Sequence, residues 1–289
     1  MARVRAGSGL LFDAVVYLVM IAVIASCLTP FVYMAALSLS SPAAIINNRV
    51  TFWPVGLNIK AYRQIFSYPN FLHAYRNTIF YTVAGTAIAL VFTVMFAYPL
   101  SKPVLKGRGL VMKLVIFSMF FTGGLIPNYL LVTSLRLVNT VWAMLIPFAI
   151  NQFNLIILIN FFRAVPAELE EAAFIDGLDY LNILIRIVVP LSTAALSTIG
   201  LYTAVFFWND WFHALIYLKS RQFPVMLFLR NIVTGTTMAG DVAGAGDKTS
   251  IEISIKSAVI ITSTAPIIAV YPFLQRYFVK GMLVGSIKG

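Results

Sequence analysis

Long apolar runs separated by short charged segments dominate the pattern of this chain. A transmembrane helix needs about 20 mostly apolar residues to cross the hydrocarbon core. Six windows approach or exceed that length: 14–37, 77–100, 114–135, 138–162, 187–209 and 257–274. The pattern therefore predicts an all-α integral membrane protein with six transmembrane helices. It also predicts a tight turn at Arg136 and Leu137, between the third and fourth helices, and kinks at Pro127 and Pro147.

Composition and charge support a membrane protein. The chain is 60% hydrophobic and only 11% charged, which excludes an ordinary soluble surface. The net charge of +11 could indicate a nucleic-acid partner, but the Lys and Arg residues lie mainly in the gaps between apolar runs. We therefore expect contact with membrane lipid and no binding of nucleic acid. The single cysteine, Cys27, excludes an internal disulfide and a cysteine-based metal cluster.

The N-terminus permits two interpretations. Arg3 and Arg5, followed by an apolar run that ends at Cys27, resemble a lipoprotein signal with an acylated cysteine. However, the uncharged stretch continues over 14–48, and further apolar windows follow instead of an exported soluble domain. We favour a first transmembrane helix that contains Cys27.

Six spans place both termini on one side of the membrane. If that side is the cytoplasm, the inner segments hold 11 Lys and Arg and the longer outer segments hold 10. Four of the inner positive charges crowd into 102–113. Because short loops carry the positive-inside rule, the density of charge predicts cytoplasmic termini. Of the long outer segments 38–76 and 210–256, the second contains a Gly-, Ala-, Thr- and Asp-rich stretch that is either a disordered linker or ordered by a partner.

The inner segment 163–186 has its own helical punctuation and holds five of the ten acids in the chain. Pro166 is suited to the start of a helix, Glu168 and Glu170 favour the positive end of its dipole, and Gly177 offers a stop. The residues 180–185 then give a second short helical segment. We expect two short helices joined at the glycine, forming a compact structure on the cytoplasmic side.

An amphipathic loop lying among the lipid headgroups is the alternative for this segment, with Leu169, Ala172, Ala173 and Ile175 buried. A longer pattern bears on the choice. Glu171-Ala172-Ala173 is followed after three residues by Gly177, and after nine more by Ile187, one residue and Val189-Pro190. This spacing resembles the EAA loop of ABC-importer permeases throughout. The one departure is Val189, where leucine is usual.

The resemblance implies a role for this loop. In ABC importers the EAA loop forms coupling helices that dock into a groove on a cytoplasmic ATPase subunit. Carried over by position, the ATPase-coupling residues are Glu171, Ala172, Ala173, Asp176 and Gly177. Small alanines would allow close approach, the glycine permits the reversal, and the acids supply charged partners for a basic groove.

The resemblance covers nearly the whole chain and points to the carbohydrate branch, namely the maltose-type second permease and its LplC-like relatives. The segments that carry it are 162–169, Trp208-Asn209-Asp210, Trp53-Pro54 with Asn58 and Tyr62, and the tail 275–289. It implies three regions: 1–76 with the first helix and an outer loop, a five-helix importer core over 77–275, and a cytoplasmic tail over 276–289. The core would include the coupling loop 163–186 and the outer loop 210–256.

The same resemblance implies partners and a location. We expect a second permease subunit, a homodimeric ATP-binding subunit and an extracytoplasmic solute-binding protein, in a bacterial cytoplasmic membrane. Nothing in the sequence indicates catalysis by this chain. The segment 244–249 lacks the glycine that precedes the lysine of a P-loop, and His73 and His213 stand far apart. We therefore expect no cofactor or metal on this chain and ATP with Mg on the partner ATPase.

Polar residues at membrane depth are the candidates for the substrate path, because each is costly in lipid and should face protein or water. They are Asn151, Gln152, Asn154, Asn160, Asn209 and Asp210. Hydrogen bonding between helices is the alternative role for each of them.

Several functions remain open at this stage. A free-standing channel or secondary transporter would also be a multi-span protein, and an ABC permease could carry peptides or polyamines. The outer segments hold ten Lys and Arg against four acids, which suits an acidic oligosaccharide such as an alginate fragment. Membrane topology explains the same charges.

Overall fold

The computed structural model describes residues 5–68, 70–235 and 252–270. It is helical, with no strand in these ranges. The helices are α1 (Arg5–Ser38), α2 (Pro42–Ile46), α3 (Lys60–Ser67), α4 (Phe71–Ser101), α5 (Arg108–Phe120), α6 (Leu125–Ser134), α7 (Trp142–Leu145), α8 (Gln152–Arg163), α9 (Ala167–Ile175), α10 (Tyr180–Ile183), α11 (Val189–Leu191), α12 (Thr193–Asn209), α13 (Phe212–Tyr217), α14 (Val225–Val233) and α15 (Glu252–Val270). A π-helical turn, Leu184–Val188, joins α10 to α11, and a 3₁₀ turn, Ser220–Gln222, precedes α14. The prediction of an all-α membrane protein is confirmed.

The predicted spans differ in continuity. Within the described ranges, three apolar helices are long enough to cross a membrane unbroken: Phe12–Ser38 of α1, α4 and α15. They correspond to the first, second and sixth predicted spans. The third predicted span is a pair of helices, α5 and α6, bent by 117°. The fifth is likewise a bent pair, Tyr180–Leu191 and α12, at 82°.

The break between α5 and α6 lies at glycines. Residues 121–124 leave the helix, and Gly124 has a φ of +82°, which favours a residue without a Cβ. Pro127 lies in the first turn of α6, where its missing N–H costs little. The predicted kink at Pro127 is therefore wrong, because the glycine pair ends the helix first.

The fourth predicted span, 138–162, is not one helix. It consists of the short α7 and the apolar α8, and the chain leaves the helix between them. Pro147 lies in that break and has no N–H for an intrahelical bond, so the predicted disruption there is confirmed. The predicted tight turn is also found, since Arg136 and Asn139 have φ values of 57° and 62°.

The described residues form two compact units. One contains 5–68, 231–235 and 252–265. In it, the Tyr62 and Ser38 hydroxyls are 2.8 Å apart, and Ser40 Oγ accepts a bond from the Val55 backbone N–H at 3.1 Å. The side chain of Asn58 accepts a bond from the N–H of Lys60, the first residue of α3. These bonds order the segment after α1.

The second unit contains 70–230 and 266–270, and its core is built from α4, α8 and α12. Small residues on α4 let these helices approach closely, as is common between membrane helices. The N-terminal part of α4 is also fixed by polar contacts: Tyr81 donates to the carbonyl of Gln222, and the Thr78 hydroxyl accepts the N–H of Val225 at 2.7 Å. This packing positions the loop between α8 and α10 and the start of α8.

Gly85 of α4 packs directly against the ring of Phe207 on α12. A Cβ at this position would lie 2.5 Å from ring carbons of the buried Phe207. We expect Gly85→Ala to destabilise the protein by about 1–3 kcal/mol, the usual cost of overpacking. Gly109→Ala in α5 is the matched control, because its Cβ would meet nothing within 4 Å. Thermal unfolding in detergent measures both; equal midpoints for the two variants would refute this close packing.

Candidate functional site

The segment after α8 folds as two short helices joined by a sharp turn. Pro166 lies immediately before α9, and Gly177 follows its end with a φ of +82°. Gly177 N–H donates to the Phe174 carbonyl at 3.0 Å, and Leu178 N–H donates to the Ala173 carbonyl at 2.9 Å. These two bonds form a Schellman motif, which requires a left-handed residue and so explains the glycine. We call α9, residues 176–179 and α10 the knob.

The second helix of the knob has its own cap. The Asp179 carboxylate accepts bonds from the backbone N–H and the side-chain amide of Asn182, at 2.9 and 2.6 Å. These bonds, the backbone one first, lower the pKa of Asp179, so its carboxylate stays charged at neutral pH. The N-terminal side of α10 therefore carries a fixed negative charge.

A charged contact anchors the knob to the end of α4. The Glu170 carboxylate forms an ion pair with Lys102, and Glu170 is only 7% exposed. Tyr98 donates to the same carboxylate at 3.4 Å, and the Lys102 ammonium lies 4.8 Å from the centre of the Tyr98 ring. The sequence pattern indicated only a helix-dipole role for Glu170. The available signal was its spacing of three residues from Ala173, which places both on the same face of α9.

The predicted ATPase-coupling residues divide between the outward and the inward face of the knob. Glu171, Ala172, Asp176 and Gly177 are exposed. Ala173 is 4% exposed and packs into the core with α8 and α12, so its side chain is not available for contact with another subunit. The expectation of Ala173 as a contact residue is corrected on this point: it lies on the inward face with Glu170.

An exposed apolar residue accompanies the acids. Ile175 is 87% exposed at the end of α9, and Leu169 is exposed as well. The alternative interpretation of an amphipathic loop requires Leu169, Ala172, Ala173 and Ile175 on one lipid-facing side, but Ala173 packs into the protein core instead. The outward face of the knob thus combines acidic groups with an exposed isoleucine. The sequence pattern did not predict an exposed Ile175 on this face.

A second feature is a cavity of about 440 Å³ between α4, α12 and the start of α8. It brings together three of the predicted substrate-path residues: Asn151, Gln152 and Asn154. Its other lining residues are Ala89, Thr93, Pro147, Phe148, Ile150, Phe153, Tyr202, Thr203 and Phe206. None of these described lining residues is charged, so we call this space the amide cavity.

The amides are held by local bonds. The Asn151 side chain caps α8 by accepting the N–H of Asn154 at 3.0 Å. The buried Asn154 amide donates to the Thr203 hydroxyl in a long contact of 3.5 Å. Gln152 is half-buried at the first residue of α8. Amides, hydroxyls and aromatic rings around one space can bind the hydroxyl groups and apolar faces of a neutral polar solute.

The other predicted path residues lie outside the amide cavity. Asn160 is exposed on α8, and the Asn209 amide donates to the Val205 carbonyl of its own helix at 2.9 Å. Asp210 accepts the backbone N–H of His213 and lies 2.9 Å from Nδ1 of its ring. The structure gives Asp210 a local role at the start of α13, and its place on the substrate path stays a prediction. His213 contacts Phe148, a cavity residue, at 4.5 Å between ring centres.

No known family profile matches the chain. Protein LplC of Bacillus subtilis is 45% identical over 98% of this chain and 96% of its own length. The polygalacturonan/rhamnogalacturonan transport system permease protein YtcP of the same species is 42% identical over 96% of this chain and 99% of its own.

A solved structure is similar in fold and sequence. One chain of a bacterial ABC transporter involved in import of the acidic polysaccharide alginate has a TM-score of 0.88 and 36% identity, covering 94% of this chain and 98% of its own. A second chain, from an alginate ABC transporter in complex with a pentasaccharide-bound periplasmic protein, has a TM-score of 0.61 at 13% identity. The second similarity concerns the fold alone.

Proposed function

The chain belongs to the LplC-like family of ABC-transporter sugar permeases, and on that premise we propose that it forms half of the translocation pathway for an acidic oligosaccharide and couples to a cytoplasmic ATPase through the knob. The single observation that carries the coupling role is the outward face of the knob. It presents Glu171, Ala172, Asp176 and Gly177, beside the exposed Ile175. Acidic and apolar groups together suit a groove that is basic at its rim and apolar at its centre.

The anchor of the knob supports this role. A docking element transmits movement only if it is attached firmly to the helices that must move. The Glu170–Lys102 ion pair and the burial of Ala173 attach the inward face of α9 to α4 and the core. A force on the outward face would therefore reach α4, whose residues Ala89 and Thr93 line the amide cavity.

We further propose the arrangement of the complete importer. The chain lies in the bacterial cytoplasmic membrane with both termini and the knob in the cytoplasm, as the density of positive charge in the short loops supports. We propose that 77–275 form the five-helix core and that 276–289, which lie outside the described residues, form a cytoplasmic tail. The chain itself has no catalytic role; ATP and Mg bind to the homodimeric ATPase, and a second permease completes the pathway.

The outer side would receive the solute-binding protein. Its contact is proposed for the loop 234–249 of the outer segment 210–256, and residues 236–249 of that loop lie outside the described residues. No residue in the apolar window of Phe12–Ser38 is buried by the rest of this chain, so the helix is free to pack against the second permease or lipid.

Copurification in detergent tests these partners: we expect the second permease and two ATPase copies. Recovery of this chain alone from cells that express all subunits would contradict the arrangement.

The substrate class rests on relatives and on charge. YtcP and the alginate importer act on acidic polysaccharides, and the outer segments of this chain hold ten Lys and Arg against four acids. The amide cavity carries no charge among its described lining residues. We therefore propose that the cavity contacts sugar hydroxyls and ring faces, and that carboxylates are neutralised outside it.

Gln152→Leu tests the amide cavity. The substitution removes one amide from the lining. The KM of uptake should rise by about 3- to 10-fold, because that change corresponds to the net free energy of one hydrogen bond. Asn209→Leu is the matched control, because the Asn209 amide already bonds within α12 and lines no part of the cavity. Uptake of labelled oligouronides into proteoliposomes of the complete importer measures both. An equal KM for Gln152→Leu and the intact chain would refute a substrate role for this residue.

A further inference from the structure

A second cavity, of about 490 Å³, lies where the knob meets the ends of α4, α5 and α8. Three basic residues line it: Lys102, Arg108 and Arg163. Lys102 is engaged by Glu170. The two arginines are brought together by the helices, because Arg108 is the first residue of α5, Arg163 is the last residue of α8, and α5 packs on α8. We call this space the arginine cavity.

The described part of the chain provides no carboxylate paired with either guanidinium group. Among the described residues, neither Arg108 nor Arg163 forms an ion pair with a carboxylate, although Glu171 also lines the cavity. Two like charges at one cavity favour an anion that can accept several hydrogen bonds. A phosphate group meets that requirement, since each guanidinium offers a planar pair of donors to its oxygens.

The surroundings of the two arginines suit an amphiphilic ligand. None of the α5 residues is buried, and Leu110, Val111 and Leu114 are exposed in the two turns that follow Arg108. The helix also begins at a left-handed Gly107 without a side-chain cap, so its positive end faces the same region. A charged cavity therefore opens beside an exposed apolar helix.

We propose that the arginine cavity binds the phosphate headgroup of an anionic phospholipid from the cytoplasmic leaflet, with the acyl chains lying along α5. Basic pockets between membrane helices on the cytoplasmic side are suited to such headgroups. The inference rests on the orientation given under the proposed function. Because Glu170, Phe174 and Tyr180 also line the cavity, the bound lipid would contact the knob and stabilise its position.

Native mass spectrometry of the complete importer, titrated with phosphatidylglycerol in mixed micelles, tests the proposal. The intact complex should retain at least one phosphatidylglycerol molecule, and Arg108→Gln with Arg163→Gln should weaken that retention by about 30-fold. The matched control is Lys106→Gln with Arg186→Gln, which removes two positive charges from the same side without touching the cavity lining. The control should retain lipid as the intact complex does.

Other outcomes identify other occupants and would overturn the proposal. Equal loss in the control would mean nonspecific attraction to the surface. Displacement of the lipid by millimolar inorganic phosphate would assign the cavity to a free anion. Dissociation of the ATPase from the Arg108→Gln and Arg163→Gln complex in neutral detergent would mean that an acidic group of that subunit occupies it. Lipid retention and copurification of subunits are separate readouts, so failure here leaves the coupling role intact.

Discussion

Gly177→Pro should abolish ATP-driven uptake while the chain remains inserted in the membrane. Proline fixes φ near −65°, whereas Gly177 has a φ of +82°. Proline would also remove the N–H that bonds to the Phe174 carbonyl at 3.0 Å. The cost is about 3 kcal/mol or more, which shifts the knob away from its native form by over about 100-fold. ATP hydrolysis by the complex should then no longer respond to loaded binding protein.

Gly177→Ala separates this effect from a general loss of packing. An alanine Cβ at this position meets nothing within 4 Å, and the backbone N–H is retained. Its cost is limited to the left-handed conformation, about 1–2 kcal/mol. We expect reduced uptake in this variant and none in Gly177→Pro, with equal amounts of both in the membrane. Normal uptake by the proline variant would exclude the knob as the coupling element.

Glu170→Gln should loosen the knob from the rest of the chain. The substitution keeps the size of the side chain but leaves the Lys102 ammonium, which is only 24% exposed, without its counter-charge. Breaking a buried ion pair costs about 3–5 kcal/mol, and the lower end applies because Lys102 retains some contact with solvent. We expect a lower thermal midpoint and a reduced stimulation of ATP hydrolysis by loaded binding protein.

Glu168→Gln is the control for this prediction. Glu168 lies on the same helix in its first turn, but its side chain is exposed. Its replacement should change stability by no more than about 0.5 kcal/mol, as is usual for surface positions. If Glu168→Gln and Glu170→Gln behave alike, the ion pair with Lys102 does not anchor the knob.

The sequence predicted where helices form better than where they break. The windows that became α1, α4 and α15 are uncharged and uninterrupted at their centres, so length and hydrophobicity determined the result. The break after α5 depended on Gly123 and Gly124, because apolar composition alone cannot distinguish a continuous helix from two bent ones. The kink predicted at Pro127 was wrong because this proline lies in the first turn of α6, where a missing N–H breaks no intrahelical bond.

The sequence predicted the location of the knob and its turn but not which of its side chains point inward. The spacing from Glu171 to Gly177 located the knob and its turn, whose left-handed glycine the structure contains. The spacing did not reveal that Glu170 and Ala173 point inward, since that depends on Lys102 and the core, which are distant in sequence. Likewise, three amides of the predicted path line one cavity. Asn209 and Asp210, at the end of α12, form local hydrogen bonds instead.

Uptake into proteoliposomes that contain this chain, the second permease, the ATPase pair and loaded binding protein tests the coupled-permease role most directly. We expect accumulation of oligosaccharide only when ATP is supplied on the ATPase side, with ATP hydrolysis and uptake lost together when the ATPase is omitted. The knob should then be protected from proteolysis in the complete complex. Uptake by this chain alone, without ATP or the ATPase, would instead identify a free-standing channel or secondary transporter and contradict the proposed role.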